Sequence, residues 1–316
     1  MKIAIIVDPL PSLKVNKDST VAIMAEAADR GHEIHIMMQE AVMWKSGRVV
    51  GENLRITFTG EKDRWYRAAP PVETPLAEFD AVLMRKDPPF DAEYLASTWL
   101  LEQAVGEGAR VFNDPRAIRD HSEKLAIMQF AQFTVPTLVT RLPGQIHDFI
   151  DANGDVIVKP LDGMGGESVF RVTETDSNRY VILETITRHG SRTVMAQRFI
   201  PEIREGDKRI LLIGGEPAPY CLARIPRPGE TRGNLAAGGT GVARPLGARD
   251  LEIARALGPE LIKRGLLLVG LDVIGDYLTE INVTSPTCFR EITGQTGFNV
   301  AAMFMDALEA ACRRTL

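Results

Sequence analysis

Asp272, Glu280 and Asn282 are the residues of this 316-residue chain best placed to hold a cation. They lie in residues 266–286, L-L-L-V-G-L-D-V-I-G-D-Y-L-T-E-I-N-V-T-S-P, where two apolar runs flank Gly275-Asp276-Tyr277. That pattern is a hairpin signal. With those three residues as the loop, Ile274 faces Leu278 and Asp272 faces Glu280. Side chains alternate along a strand, so Glu280 and Asn282 share a face and Asp272 joins them across the ladder. Two like charges on one face of an apolar ribbon repel unless a cation lies between them. Oxygen donors of this kind suit Mg²⁺, which keeps several waters and takes one or two carboxylates together with substrate phosphates. A solvated polar face without metal is the plainer reading. Thr284-Ser285-Pro286-Thr287 favours the metal, because it sets hydroxyls and backbone groups beside the same point.

Other residues point to an anionic ligand. Lys159 ends the apolar run V-I-V-K-P and needs an anionic partner there. D-G-M-G-G follows, and Gly163, Gly165 and Gly166 would let backbone N–H groups approach phosphate oxygens. The G-x-x-x-x-G-K-[ST] phosphate loop is absent, and glycine turns after strands are common. Gln197, Arg198, Phe199 and Ile200 form a strand end whose backbone could meet a base edge, or simply end a strand. Asp207-Lys208-Arg209 opens the next strand and aims Arg209 at the cation hairpin. Arg85 sits at the carboxyl end of a strand, where open α/β sheets bind ligands; a plain surface arginine fits equally. Residues 227–241, R-P-G-E-T-R-G-N-L-A-A-G-G-T-G, hold five glycines with Arg227, Arg232 and Asn234. Low side-chain content predicts mobility, and mobile arginine loops often close over anionic substrates. Cys221 and Cys288 have no base nearby in sequence and read as packing residues. The five histidines show no ligand spacing.

These residues need a scaffold. The first third alternates strands and helices: strands at 3–7, 34–38, 81–85 and 110–112, with helices capped by Asp18 and Asp91. This βα order implies a helix-covered parallel sheet. No G-x-G-x-x-G follows the first strand, so a dinucleotide fold has no support. Near 115–122 the organisation changes. Glu123-Lys124 opens a helix, strands follow at 137–140, 155–159, 168–172 and 194–200, and a helix lies near 178–187. Beyond Pro201 come strands at 209–213 and 220–225, the glycine loop, a helix at 248–264, the cation hairpin and a last helix at 299–313. The reading is α/β in three units, residues 1–121, 122–200 and 201–316. A formal net charge of −5 argues against nucleic-acid or membrane-surface partners. Three scattered cysteines argue for a reducing compartment, and no apolar run reaches the ~20 residues of a membrane span. A cytoplasmic protein is expected.

Taken together, M-R-K-D-P-P-F-D at 84–91, K-P-L-D-G-M-G-G at 159–166, residues 220–226, 230–239 and 278–287 resemble the ATP-grasp carboxylate–amine ligases, and more narrowly the bacterial glutathione synthetases. The resemblance spans nearly the whole chain. It implies an N-terminal α/β domain followed by the two halves of an ATP-grasp fold, which hold ATP between them. Lys124 and Lys159 would then meet the ATP phosphates, with Gly163, Gly165 and Gly166 over them. Gln197 to Ile200 would bind adenine and Asp207 the ribose. Asp272, Glu280 and Asn282 would hold Mg²⁺, with Mn²⁺ as the alternative ion. Arg85, Arg209, Arg224, Arg232, Asn234, Ser285 and Thr287 would surround γ-glutamylcysteine and glycine, with Arg209, Arg232 and Asn234 nearest the chemistry. Many relatives carry an acidic residue after the glutamine, where this chain has Arg198. The activity implied is ADP-forming ligation of the dipeptide to glycine through an acyl phosphate, by a dimer or tetramer. A D-alanine ligase would share the metal and nucleotide residues and differ in the arginine lid and the M-R-K-D-P-P segment. A small-molecule kinase would turn over ATP without a second acceptor.

Overall fold

The computed structural model describes residues 1–61, 64–163, 165–235 and 238–313. Its first unit holds β1 (Lys2–Ile6), α1 (Ser19–Asp29), β2 (Glu33–Met37), β3 (Val42–Lys45), β4 (Arg48–Phe58), β5 (Tyr66–Ala68), β6 (Val72–Pro75), β7 (Ala81–Met84), α2 (Ala92–Gly106), β8 (Val111–Phe112) and α3 (Pro115–Asp120). β1 runs parallel to β2 and to β7, and β7 parallel to β8. The strand order is β3-β4-β2-β1-β7-β8. Both expected caps form: Asp18 Oδ1 accepts from the N–H groups of Thr20 and Val21, and Asp91 Oδ1 from that of Tyr94. Strands β3 to β6 extend the sheet antiparallel on the β2 side and had no counterpart in the sequence reading.

The second unit contains β9 (Thr137–Thr140), α4 (Pro143–Asn153), β10 (Asp155–Pro160), β11 (Phe170–Thr173), α5 (Arg179–Ile186) and β12 (Val194–Arg198). Its four strands are antiparallel in the order β11-β10-β12-β9. Ile146, Ile150, Val156, Val158, Leu183, Ile186 and Val194 give it a core of its own. The expected helix after Lys124 is a 3₁₀ segment, Leu125–Phe133, broken at Phe130. Its Ala126, Ile127, Phe130 and Phe133 join the core of the third unit, with Leu278 and Ile281, and Met195 of β12 belongs to the same cluster.

The third unit comprises β13 (Asp207–Ile213), β14 (Glu216–Pro217), β15 (Tyr220–Ile225), β16 (Thr240–Pro245), α6 (Ala248–Lys263), β17 (Leu268–Ile274), β18 (Tyr277–Asn282), α7 (Phe289–Thr296) and α8 (Val300–Arg313). The sheet is antiparallel, in the order β16-β15-β13-β17-β18. α7 and α8 contribute Phe289, Phe304 and Met305 to one apolar core shared with Ile3, Ile5, Met24 and Leu83 of the first unit. Asn113 closes the joint: its side chain donates to Leu268 O and Val283 O, both at 2.8 Å, and accepts from Leu268 N–H. The site-bearing sheet is thereby fixed against the first unit. No described helix is long and apolar enough to cross a membrane.

Candidate active site

The cation hairpin forms with Asp272 opposite Glu280 and Gly270 opposite Asn282. The loop differs from the expected one. Ile274 pairs with Tyr277, so the turn has two residues, and Thr279 is the extra residue of a β-bulge. The bulge lets Leu278 and Val273 fill the core while Glu280 and Asn282 keep to the other face. Thr279 Oγ1 donates back to Asp272 O at 3.1 Å.

Asp272 is gripped by cations of the protein itself. Arg209 Nε lies 2.6 Å from Oδ1, and Arg224 Nη2 lies 2.9 Å from Oδ2. Arg224 also binds Asp207 at 2.5 Å. All four side chains are buried. Burial alone would raise the Asp272 carboxyl; the two guanidiniums hold it far below the ordinary carboxylate range. Asp207 moves the other way. Burial raises it, Arg224 opposes that, and Asp272 adds repulsion. Its Oδ1 is buried and has no hydrogen-bond partner among the described residues.

Glu280 faces ammonium groups instead. Lys159 Nζ, at the end of β10, lies 3.2 Å from Glu280 Oε1, and Lys124 Nζ lies 3.8 Å from it. Burial would raise Glu280, and the two lysines lower it. Lys124 Nζ also donates to Gly163 O at 2.7 Å. The glycine loop, the two lysines and the cation hairpin therefore converge from two different sheets. Met164 lies outside the described residues. Gly166 has φ +84°, and a Cβ there would sit 2.8 Å from Asn234 Oδ1 and 3.0 Å from Arg232 Cδ. Only glycine allows that approach of the arginine loop. Arg232 Nη1 reaches Gly166 O at 3.3 Å, and its Nη2 pairs with Glu230 at 2.6 Å. Ala236 and Ala237 of that loop lie outside the described residues.

Between the second and third units lies a cleft of about 500 Å³. Its wall includes Lys124, Lys159, Gly163, Gly165, Gly166, Gln197 to Ile200, Asp207, Arg209, Arg224, Arg232, Asn234, Asp272, Glu280, Asn282, Ser285 and Thr287. In the Gln197 segment the amides of Arg198 and Phe199 donate to Pro136 O and Asp155 O. Gln197 Nε2 donates to Thr137 Oγ1 at 3.2 Å. Arg198 is exposed at the cleft wall, 6.0 Å from the Tyr277 ring.

Arg85 is placed differently from the expectation. It is 5% exposed, does not line the cleft, and donates to Thr20 Oγ1 and Pro286 O behind the wall. The carboxyl end of β7 packs against residues 284–287, so the side chain is enclosed there rather than open to ligand. Two wall residues had no role in the sequence reading. Glu123 Oε1 accepts from Val283 N–H, Thr284 N–H and Thr284 Oγ1. It ties the strand end after Asn282 to the residue before Lys124. Asp87 accepts a hydrogen bond from Ser285 Oγ. The only signal for Asp87 was its place in M-R-K-D-P-P. Among the described residues no three His, Cys, Asp or Glu side chains form a metal cluster, so a cation here would rest on two carboxylates and an amide. Burial raises the Cys288 thiol, and Cys221 is likewise raised, to about 11, in keeping with packing residues.

Residues 1–119 match the family model described as prokaryotic glutathione synthetase, N-terminal domain, and residues 123–297 match the ATP-grasp domain of the same enzymes. The chain belongs to the prokaryotic glutathione synthetases. It is 61% identical to a glutathione synthetase of Ralstonia nicotianae, over 98% of this chain and 96% of that one. It is 60% identical to that of Nitrosomonas europaea, over 98% of both. In fold it is similar to the D-cycloserine synthetase DcsG (TM-score 0.68, 16% identity, 99% and 100% of the two chains). It is also similar to the ATP-grasp ligase PsnB solved with a minimal precursor, Mg and ADP (TM-score 0.63, 18% identity, 99% and 98%). The fold is the α/β ATP-grasp fold that the sequence reading expected. A glutathione synthetase is an ADP-forming ligase that makes glutathione at the expense of ATP, with a divalent metal.

Proposed function

We propose that the cleft binds MgATP and γ-glutamylcysteine side by side, and that the observation carrying this is the meeting of Lys124, Lys159 and Glu280 beneath the glycine loop. The proposed units are 1–121, 122–200 and 201–316, with the 125–133 segment leaning on the third. Lys124 and Lys159 hold the phosphates, and Gly163, Gly165 and Gly166 cover them. Gln197 to Ile200 meet adenine through their backbone, and the unpaired Oδ1 of Asp207 meets the ribose. Glu280 and Asn282 would supply oxygens for Mg²⁺, and Mn²⁺ would fit the same hard donors; Asp272, held by two arginines, would be the third donor. When bound, the metal neutralises charge on the β- and γ-phosphate oxygens.

The cysteinyl carboxylate attacks the γ-phosphorus and ADP leaves. Glycine's amine then attacks the acyl carbon, phosphate departs, and the amine gives up its proton. Phosphoryl transfer needs positioning and charge neutralisation more than covalent help, which suits a wall of lysines and arginines. Arg209, Arg232 and Asn234 would face the reacting groups, and Arg224, Ser285 and Thr287 the substrates, with Arg85 bracing the wall through Pro286. A cytoplasmic homo-oligomer is the accompanying reading, supported by three unbridged cysteines and by the family resemblance. ADP release with γ-glutamylcysteine should depend on glycine. Peptide-stimulated release that ignores glycine would point to a kinase and overturn the ligase assignment of this cleft.

Closure over the acyl phosphate excludes water, and the Arg232–Gly166 contact is where the two loops meet. Trypsin is expected to cut free protein after Arg232, since Arg227 precedes a proline and resists it, and ATP with γ-glutamylcysteine to suppress that cleavage. Equal cutting with and without substrates would remove the lid role.

A further inference from the structure

We infer that Asp87 is the residue that recognises the α-ammonium of the γ-glutamyl end of the substrate. This rests on the cleft being the peptide site, as proposed above. Once its cysteinyl carboxylate is directed to the γ-phosphate, γ-glutamylcysteine still carries an α-amino-acid head. A buried or half-buried ammonium needs a carboxylate partner.

Seven carboxylates line the cleft, and five are committed. Asp162 is held by Arg192, Asp207 by Arg224, Asp272 by Arg209 and Arg224, and Glu280 by Lys159 and Lys124. Glu123 is taken by two backbone N–H groups and a hydroxyl. Glu167 follows Gly166 on the loop proposed to cover the phosphates, where an ammonium has no reason to lie. Asp87 remains. Among the described residues it forms no ion pair, and its one side-chain hydrogen bond comes from Ser285 Oγ. Arg85 acts on it through space without bonding it, and Asp8 and Asp18 act against that attraction. Lys86 pairs with Asp8 at 2.7 Å, and Arg85 is turned toward Thr20 and Pro286. Its backbone is pinned as well, with Asp87 N–H donating to Asp8 Oδ2 at 3.0 Å. Pro88 and Phe90 extend the same wall. The carboxylate thus stands at the first-unit end of the cleft, next to the Ser285 loop, fixed and, among the described residues, without an ion-pair partner.

The test compares γ-glutamylcysteine with N-glutarylcysteine, which lacks only the ammonium. Wild-type enzyme should prefer the natural dipeptide in kcat/KM by roughly tenfold to hundredfold, as a charge-assisted contact implies. In Asp87→Asn that preference should collapse toward one. The loss should fall on the natural dipeptide alone, with the apparent constants for ATP and glycine unchanged. Asp87→Glu should restore part of the preference. Equal losses on both peptides would show that Asp87 only shapes the wall, and a loss confined to glycine would place it at the acceptor; either overturns the inference. Wild-type enzyme that does not discriminate the two peptides overturns it without any variant. Failure of the cleft assignment itself would appear separately, as wild-type ADP release that γ-glutamylcysteine does not stimulate.

Discussion

Glu280→Gln should lower glutathione synthesis by about 10²–10³-fold in kcat, the scale of losing one fixed electrostatic contact to a reacting centre. The amide keeps the size and one oxygen but not the charge. Its neighbours make the change severe, because Lys124 and Lys159 are each 6% exposed and converge on this carboxylate. With the charge gone, two buried ammonium groups face each other across a neutral side chain. The free variant should therefore melt below wild type, and ATP should recover more of its stability than it does for wild type, because phosphate satisfies the lysines. The activity loss should come with a higher Mg²⁺ requirement. Near-normal turnover with unchanged Mg²⁺ dependence, in protein with an intact circular dichroism spectrum, would exclude Glu280 from the metal site.

Asp272→Ala should be the most destabilising single change in the cleft, by about 3–5 kcal/mol in urea unfolding, the cost of breaking a buried ion pair from one side. Arg209 and Arg224 would be left buried and close together, with only Asp207 between them. Asp207 shares itself poorly, since burial already favours its protonated form. Removing both members of the Arg209–Asp272 pair gives a second check. Arg209→Met with Asp272→Leu removes both partners, and should cost less than Asp272→Ala alone. A double variant less stable than the single would mean that packing, not unpaired charge, sets the cost. The pH dependence follows the same pair. Asp272 is depressed in the folded state, so its contribution is complete above the ordinary carboxylate range. It declines as pH falls below that range and is fully lost only past the depressed folded value, in strong acid.

The hairpin was legible because alternation and turn chemistry are local. Asp272 opposite Glu280 follows from them, although the expected three-residue loop does not. The Thr279 bulge has no local signature, since a threonine in a strand looks the same in or out of the ladder. Whether Leu278 or Thr279 faces the core is decided by the packing against Phe130 and Phe133, far away in sequence. The caps at Asp18 and Asp91 were readable for the same local reason. Asp114-Pro115 carries an equally good helix start, and α3 begins there with Asp114 Oδ1 accepting from Ala117 N–H. Arg85 shows the opposite case. Its position at a strand end was right, but which side of the wall it occupies depends on residues 284–287 arriving from the other end of the chain. The arginine–aspartate quartet likewise needs three strands in register, Asp207 with Arg224 and Arg209 with Asp272.

The Lys124 and Lys159 contacts to Glu280 have a bearing on how the ligands arrive. The cleft wall carries seven Lys and Arg side chains and seven Asp and Glu, so the wall by itself is close to electroneutral. A strongly anionic nucleotide is not drawn in by surplus positive potential. On the proposed assignment the site would work as an ion exchanger: Glu280 would serve as a donor to the divalent metal, and Lys124 and Lys159 would serve as counter-ions of the phosphates. Neither half of the exchange is favourable alone, because each strands a charge on a buried group. Nucleotide and metal would then enter as a set, each raising the affinity for the other by the same factor.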